Sequence, residues 1–291
     1  MIRFSKYIWL YIVLSSVILV PGVYSLVRWG LKPSIDFTGG TVLEVQLEKT
    51  ISKDMVNSIV KKNSIDLIEV SSGEKNIYIF RMKATSDTKL DAFQKDLQKE
   101  SGDKLIILKK DTVGPLIGKE LLAKAVVASL LVLIAILSYV AYAFKSVKFG
   151  IAAIIALIHD VLVVFSSFSL LGHFMGIEVD TLFVTAFLTT MSFSVHDTIV
   201  IFDRIREYRK KDTRTSLTTI SDVALTETMG RSLVNSFTII FMLLSLVLMG
   251  GESVRWFAAA LLIGTITGTY SSPFVATPIV LLLDMWERRK K

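Results

Sequence analysis

Six long stretches of this 291-residue chain carry almost no charge, and they decide what it can fold into. A helix rising 1.5 Å per residue needs about 20 apolar residues to cross the hydrocarbon core of a bilayer. Residues 7–27, 125–144, 232–251 and 256–283 contain no Asp, Glu, Lys or Arg, and each is long enough. Residues 149–171 and 181–202 are equally apolar but hold one acid each, Asp160 and Asp197. A composition of 52% apolar and 20% charged residues, with mean hydropathy +0.57, fits six membrane spans and argues against an ordinary soluble enzyme. The first run is longer than the usual signal-peptide core of about 7–15 residues and no small-residue cleavage site follows it, so it reads as a retained anchor. With no cysteine, the chain has no disulfide, thiolate metal site or cysteine nucleophile.

The net charge of +7 could point to nucleic acid, but the placement of Lys and Arg points to topology. With the N-terminus inside, fifteen basic residues fall in inner segments: Arg3 and Lys6, Lys145 and Lys148, seven from Arg204 to Arg231, and Arg288 to Lys291. The short outer loops, 172–180 and 251–255, hold only Arg255. That asymmetry predicts cytoplasmic N- and C-termini and removes the case for nucleic-acid binding.

The spans divide the chain into a first helix with its N-terminus (1–29), an extracytoplasmic domain (30–119), and a five-helix membrane bundle (120–291) with a cytoplasmic loop 203–231 and a basic tail. In the outer domain, Thr41 to Leu47 alternates as a half-buried strand does, and Ser52 to Lys62 sets Met55, Ile59 and Val60 at helical spacing. Asp66 to Val70 and Asn76 to Met82 read as strands around a turn at residues 71–75. Asp87 to Glu100 is an amphipathic helix with Leu90, Phe93 and Leu97 on one face, and Lys104 to Leu108 is a last strand. The order β-α-β-β-α-β predicts a ferredoxin-like α+β domain, a superfold that is silent on function. No metal-ligand spacing, nucleophile with a base or phosphate loop occurs in it, and Gly39-Gly40 reads as a backbone bend.

Chemistry is therefore sought among ionisable groups at membrane depth. A charged Asp near a helix centre costs about 2.5–3.5 kcal/mol on the insertion scale, so it should face the bundle interior or a watery cavity. Asp160 lies about 11 residues into the third span, near mid-bilayer, and Asp197 about 16 residues into the fourth, in its inner third. Thr190, Ser194, Asp197 and Arg204 recur along one stripe of the fourth helix. Burial raises a carboxyl pKa and a nearby Arg lowers it, so an Asp between the two influences can load and release a proton. Arg231, Arg204 and Arg206 are the candidate cationic partners. The bland alternative is an Asp that ties two helices together, and His159 could satisfy Asp160 in this way. His196 projects about 100° from Asp197, against a direct relay between them. Gly264 and Gly268 form a small-residue pair suited to close helix packing, and Pro273 and Pro278 predict a bend in the sixth span.

The string Ser194-Val195-His196-Asp197-Thr198-Ile199-Val200-Ile201-Phe202-Asp203-Arg204-Ile205-Arg206-Glu207 resembles the signature of the SecF family of protein-export membrane proteins, in the resistance-nodulation-division superfamily. Ile35-Asp36-Phe37-Thr38-Gly39-Gly40-Thr41, His159-Asp160 and Gly268-Thr269-Tyr270-Ser271-Ser272 agree in order. Ser192-Phe193-Ser194 departs from the family's frequent Gly-Tyr-Ser, and His196 from its frequent Asn.

The resemblance implies a non-enzymatic accessory subunit of the Sec translocase in the bacterial inner membrane. It would pair with SecD and dock beside the SecYEG channel, with SecA and YajC as further partners. Without any cofactor, it would use the H⁺ or Na⁺ gradient to help draw preproteins across. The same resemblance carries an ion-coupling role to Asp197, Asp203, Arg206 and Arg231, with Asp160 as a further candidate acid. A small-solute or lipid exporter and a non-transporting translocon scaffold are the competing readings.

Overall fold

The computed structural model describes residues 3–72, 76–102, 104–143 and 146–289, so the expected turn at 71–75 lies partly outside the described residues, as do Lys145, Lys290 and Lys291. Its elements run α1 (Ile8–Trp29), α2 (Ile35–Thr38), β1 (Gly40–Gln46), α3 (Lys53–Lys62), β2 (Leu67–Ser72), β3 (Ile77–Met82), α4 (Asp87–Ser101), β4 (Ile106–Val113), α5 (Pro115–Ala143), α6 (Val147–Met175), α7 (Thr181–Lys211), α8 (Leu217–Met249), α9 (Glu252–Ser271) and α10 (Thr277–Arg289). Among the described residues, six helical stretches are long and apolar enough to cross a membrane: Phe4–Trp29, Pro115–Ala143, Val147–Met175, Thr181–Lys211, Leu217–Met249 and Val254–Arg289. Two compact units result, Pro33–Val126 and the remainder of the chain.

In the smaller unit the sheet order is β2-β3-β1-β4, with every neighbouring pair antiparallel. Alternation turns Leu43, Val45, Tyr78, Phe80 and Met82 to one face, where Ile59 of α3 and Leu90, Phe93 and Leu97 of α4 close a core. Ser52 caps α3 by accepting from the Met55 amide at 3.2 Å. Strand β4 is longer than the expected 104–108: the polar run Lys109-Lys110-Asp111-Thr112 obscures it in the sequence, yet it pairs with β1 as far as Gly40 opposite Val113. The α2 turn is an element that the hydrophobic pattern does not announce; Ser34 caps it by accepting from the Asp36 amide at 3.1 Å. Gly39, at φ 71°, follows it, where a Cβ would fall 2.6 Å from the Pro115 Cα. Only glycine meets both conditions.

The larger unit packs through small residues. A Cβ at Gly22 of α1 would lie 2.5 Å from the Ser166 Cβ of α6. Further along that contact, Ser25 shares a 2.8 Å hydrogen bond with Ser169, and Trp29 stacks on His173 at 3.8 Å between ring centroids. On α9, Gly264 and Gly268 bring the helix against α7, where added Cβ atoms would fall 2.5 Å from the Thr190 Cβ and 3.0 Å from the Ser194 Cα. The sixth span is not one straight helix. A π-turn at Ser272–Ala276 separates α9 from α10, because Pro273 has no amide to donate and its ring displaces the regular hydrogen-bond ladder. At the chain's start, the amide and hydroxyl of Ser5 donate to the Asp222 carboxylate of α8 at 2.9 and 2.8 Å.

The segment 203–231 is mostly helix rather than the expected loop. Helix α7 continues to Lys211 and α8 begins at Leu217, capped by Ser216, which accepts from the Thr219 amide. Pairs such as Arg204 with Glu207 and Glu207 with Lys211 sit three and four residues apart and support helix where the apolar pattern ends. In the short link, the Thr215 hydroxyl and the amides of Arg214 and Thr215 donate to Asp212 and hold its carboxyl below the ordinary aspartate range.

Candidate functional site

Two polar centres occupy the membrane unit, one open and one sealed. The open centre is a cavity of about 690 Å³ between α7 and α8. Asp197, half-buried, reaches it and accepts a hydrogen bond from the Ser232 hydroxyl of α8 at 2.6 Å. The lining carries four carboxylates, Asp197, Asp203, Glu207 and Glu227, against two guanidinium groups, Arg204 and Arg231, with His196 beside them. An excess of carboxylates in a cleft draws cations toward it.

Along this acid-lined space, Arg204 bridges α7 and α8. Its Nε and Nη2 donate to Glu227 Oε2 at 2.8 and 2.6 Å, and its Nη1 donates to Glu207 at 2.5 Å. Tyr208 donates to the other Glu227 oxygen at 2.5 Å. Asp203 pairs with Arg206 at 3.3 Å, and Arg206 also donates to the Ala143 carbonyl at the end of α5 at 3.0 Å. Arg231 lines the same cavity as Asp197, and among the described residues no ion pair joins them.

The sealed centre is built on Asp160 of α6, 4% exposed. Its Oδ2 accepts from the hydroxyls of Ser194 on α7 and Ser271 on α9, the latter at 2.6 Å. Its Oδ1 lies 2.9 Å from His159 Nδ1. Beyond this cluster, Thr198 and Ser272 share a 2.8 Å hydrogen bond, and Ser272 donates to the Gly268 carbonyl at 3.1 Å. Asp160, Ser194, Ser271 and Thr198 each meet a partner on a neighbouring helix, which lowers the cost of burying them.

The fourth-span stripe thus divides between the two centres. Thr190 and Ser194 pack on Gly264 and Gly268, with Ser194 serving Asp160, while Asp197 and Arg204 face α8. Ser232 and Glu227 are not among the residues singled out in the sequence, whereas Glu207 and Ser271 enter there only inside the family-like strings, with no role attached. Glu207 also stands three residues beyond Arg204 on a helical face.

The chain matches the family profile described as "Protein export membrane protein SecD/SecF, C-terminal" over residues 93–286, and the "SecD/SecF GG Motif" profile over residues 25–51. It is 38% identical to the protein translocase subunit SecF of Thermobaculum terrenum, across 99% of this chain and 95% of that one. To SecF of Anaerolinea thermophila it is 35% identical, across 97% and 94%. In structure it is similar to SecDF, a translocon-associated membrane protein from Thermus thermophilus, with TM-score 0.84 and 28% identity. It covers 99% of its own length and 39% of that longer chain. With its six candidate spans, its GG motif and full-length relatives of one kind, the chain belongs to the SecF family of protein translocase subunits.

Proposed function

We propose that this translocase subunit couples ion flow to protein export through Asp197. The observation that carries the reading is a half-buried carboxylate, held by a single hydroxyl, at the lip of an acid-lined cavity within a membrane-spanning bundle. Such a group exchanges a proton with the cavity when the geometry of Ser232 and Arg231 changes. One charge moved through 100 mV supplies about 2.3 kcal/mol, enough to bias a conformational equilibrium substantially. Asp203, Arg206 and Arg204 then shape the inner end of the path, and Asp160 is the second acid available to it.

In this reading the N- and C-termini face the cytoplasm of the inner membrane, as the Lys and Arg asymmetry requires. The small unit, whose strand order is that of a ferredoxin-like split βαβ fold, lies outside the cytoplasm. Pairing with SecD follows from the likeness to SecDF, of which this chain matches 39%. SecYEG, SecA and YajC are the wider assembly in which export of a preprotein would be assisted. Either H⁺ or Na⁺ serves as the coupling ion.

The test is Asp197→Asn, inserted and paired normally, in membrane vesicles engaged in preprotein export. Loss of the gradient-stimulated part of export is the expected outcome. Export that responds to the gradient as in the unaltered protein refutes the coupling role of Asp197.

A further inference from the structure

We infer that His159 is a proton-binding site in its own right, taking up a proton at Nε2 while Asp160 holds the opposite edge of the ring. This rests on the gradient-coupled reading above and adds a second loading point to it, deep in the bundle and away from the α7–α8 cavity.

The argument begins with the hydrogen-bond arithmetic of Asp160. Both serine hydroxyls, from Ser194 and Ser271, donate to Oδ2. Oδ1 is left to the imidazole, 2.9 Å from Nδ1. With Asp160 ionised, the proton in that contact sits on Nδ1, because an ionised carboxylate only accepts. The ring is then the Nδ1–H tautomer, with its basic lone pair on Nε2. His159 is 5% exposed, and Nε2 is a buried atom with no hydrogen-bond partner among the described residues.

A buried nitrogen that neither donates nor accepts is costly unless it has another use. Here its use follows from charge. None of the groups bonded to Asp160 is a lysine or arginine, so with Asp160 ionised the cluster of Asp160, His159, Ser194 and Ser271 holds one negative charge inside the bundle. A proton from hydronium on the aqueous side, added to the Nε2 lone pair, makes imidazolium and leaves water; the Nδ1–H to Oδ1 bond is kept. The cluster passes from one negative charge to neutral, the direction favoured where the dielectric is low. Release reverses the step.

The titratable groups around the ring do not compete for this role. Tyr270 on α9 has its ring 6.4 Å from the imidazole, and its hydroxyl is occupied by Ser15 at 3.1 Å and the Tyr11 carbonyl of α1 at 3.3 Å. On α7, Ser194 serves the cluster directly and Asp197 is bonded to Ser232. His173 and His196 lie elsewhere, one stacked on Trp29 and the other lining the cavity.

With three histidines in the chain, ¹⁵N-histidine labelling of the protein in bilayers with its partner resolves them by single variants. Acidifying from about pH 9 to about pH 5 should convert one imidazole from the Nδ1–H form to the doubly protonated form, a signal absent in His159→Asn. A His159 that stays neutral throughout, or whose neutral form is Nε2–H, overturns the assignment. Asparagine keeps a donor near the Nδ1 position and deletes Nε2, so His159→Asn separates orientation of Asp160 from proton uptake. In the export assay this variant should lose the gradient-stimulated part, and full stimulation counts against the site. If Asp197→Asn is silent while His159→Asn is not, His159 stands and the coupling role of Asp197 falls; the converse result sinks His159 alone.

Discussion

Two aspartates on neighbouring helices have opposite surroundings. Among the described residues, Asp160 meets two serine hydroxyls and an imidazole in a buried cluster, whereas Asp197 meets one hydroxyl at a cavity edge. Both are legible in the sequence, since a lone acid inside an apolar run must face a polar interior. Their partners are not, because they come from distant helices: Ser194 lies 34 residues and Ser271 111 residues from Asp160, and Ser232 lies 35 from Asp197. Spacing along one helix predicts a face but not which neighbour meets it. The glycines that bring those helices together make a testable claim. Gly264→Val would force its Cβ into Thr190 and should destabilise the bundle by about 1–3 kcal/mol, the usual cost of overpacking. It would be read as a lowered unfolding temperature in detergent. Adding Thr190→Ala should recover part of the loss, and no recovery would show that the contact is not the cause.

At the scale of elements, the junction of α7 and α8 is held by the network of Arg204, Glu227, Glu207 and Tyr208. Glu227→Gln weakens the charge-assisted bonds and leaves the shape. Amide exchange across residues 204–231 should rise in that variant, and an unchanged rate there would mean the network does not brace the helices. In the small unit, α3 and α4 are tied where Asp96 accepts from Lys62 at 2.8 Å and from Asn63 at 2.9 Å. Those bonds, the Lys62 one foremost, hold the Asp96 carboxyl below its ordinary range, while Asp96 pushes the Lys62 ammonium up. A depressed carboxyl stabilises the fold above its unfolded pKa of about 3.9 and loses that contribution as pH falls through the lower folded value. Acid should thus loosen the α3–α4 contact, and Asp96→Asn should flatten this part of the acid limb of thermal stability; an unaltered limb would exclude the pair. The alternation of β1 and β3 and the amphipathic face of α4 were readable because burial there follows one period. Residues 203–231 read in the sequence only as a cytoplasmic segment between spans, although their charges recur at helical intervals. Strand β4 was hidden for a related reason, as its polar half gains its order from pairing with β1.

On the scale of the whole molecule, one carboxylate joins the start of the first span to the first turns of α8, the fifth. Asp222, 4% exposed, takes both donors of Ser5 at the start of the chain's first helical turn, where amides have no partner of their own. Asp222→Ala should release the segment from Arg3 to Tyr7, seen as faster proteolysis near the N-terminus at equal levels of the intact bundle. Cleavage at the rate of the unaltered protein would mean that packing of Phe4 against Phe274 suffices. The six-span plan was evident from the lengths of the apolar runs, but not the interruption at the last of them, since proline marks a bend without saying of what kind. The turn at Ser272–Ala276 stores one residue more than the repeat of its flanking helices. Passing that surplus one position along would turn the residue it passes by about 100° and leave everything beyond it in register. Two placements of that one side chain would then differ by little more than the exchange of one backbone bond, so the final span re-aims a single residue without moving its end.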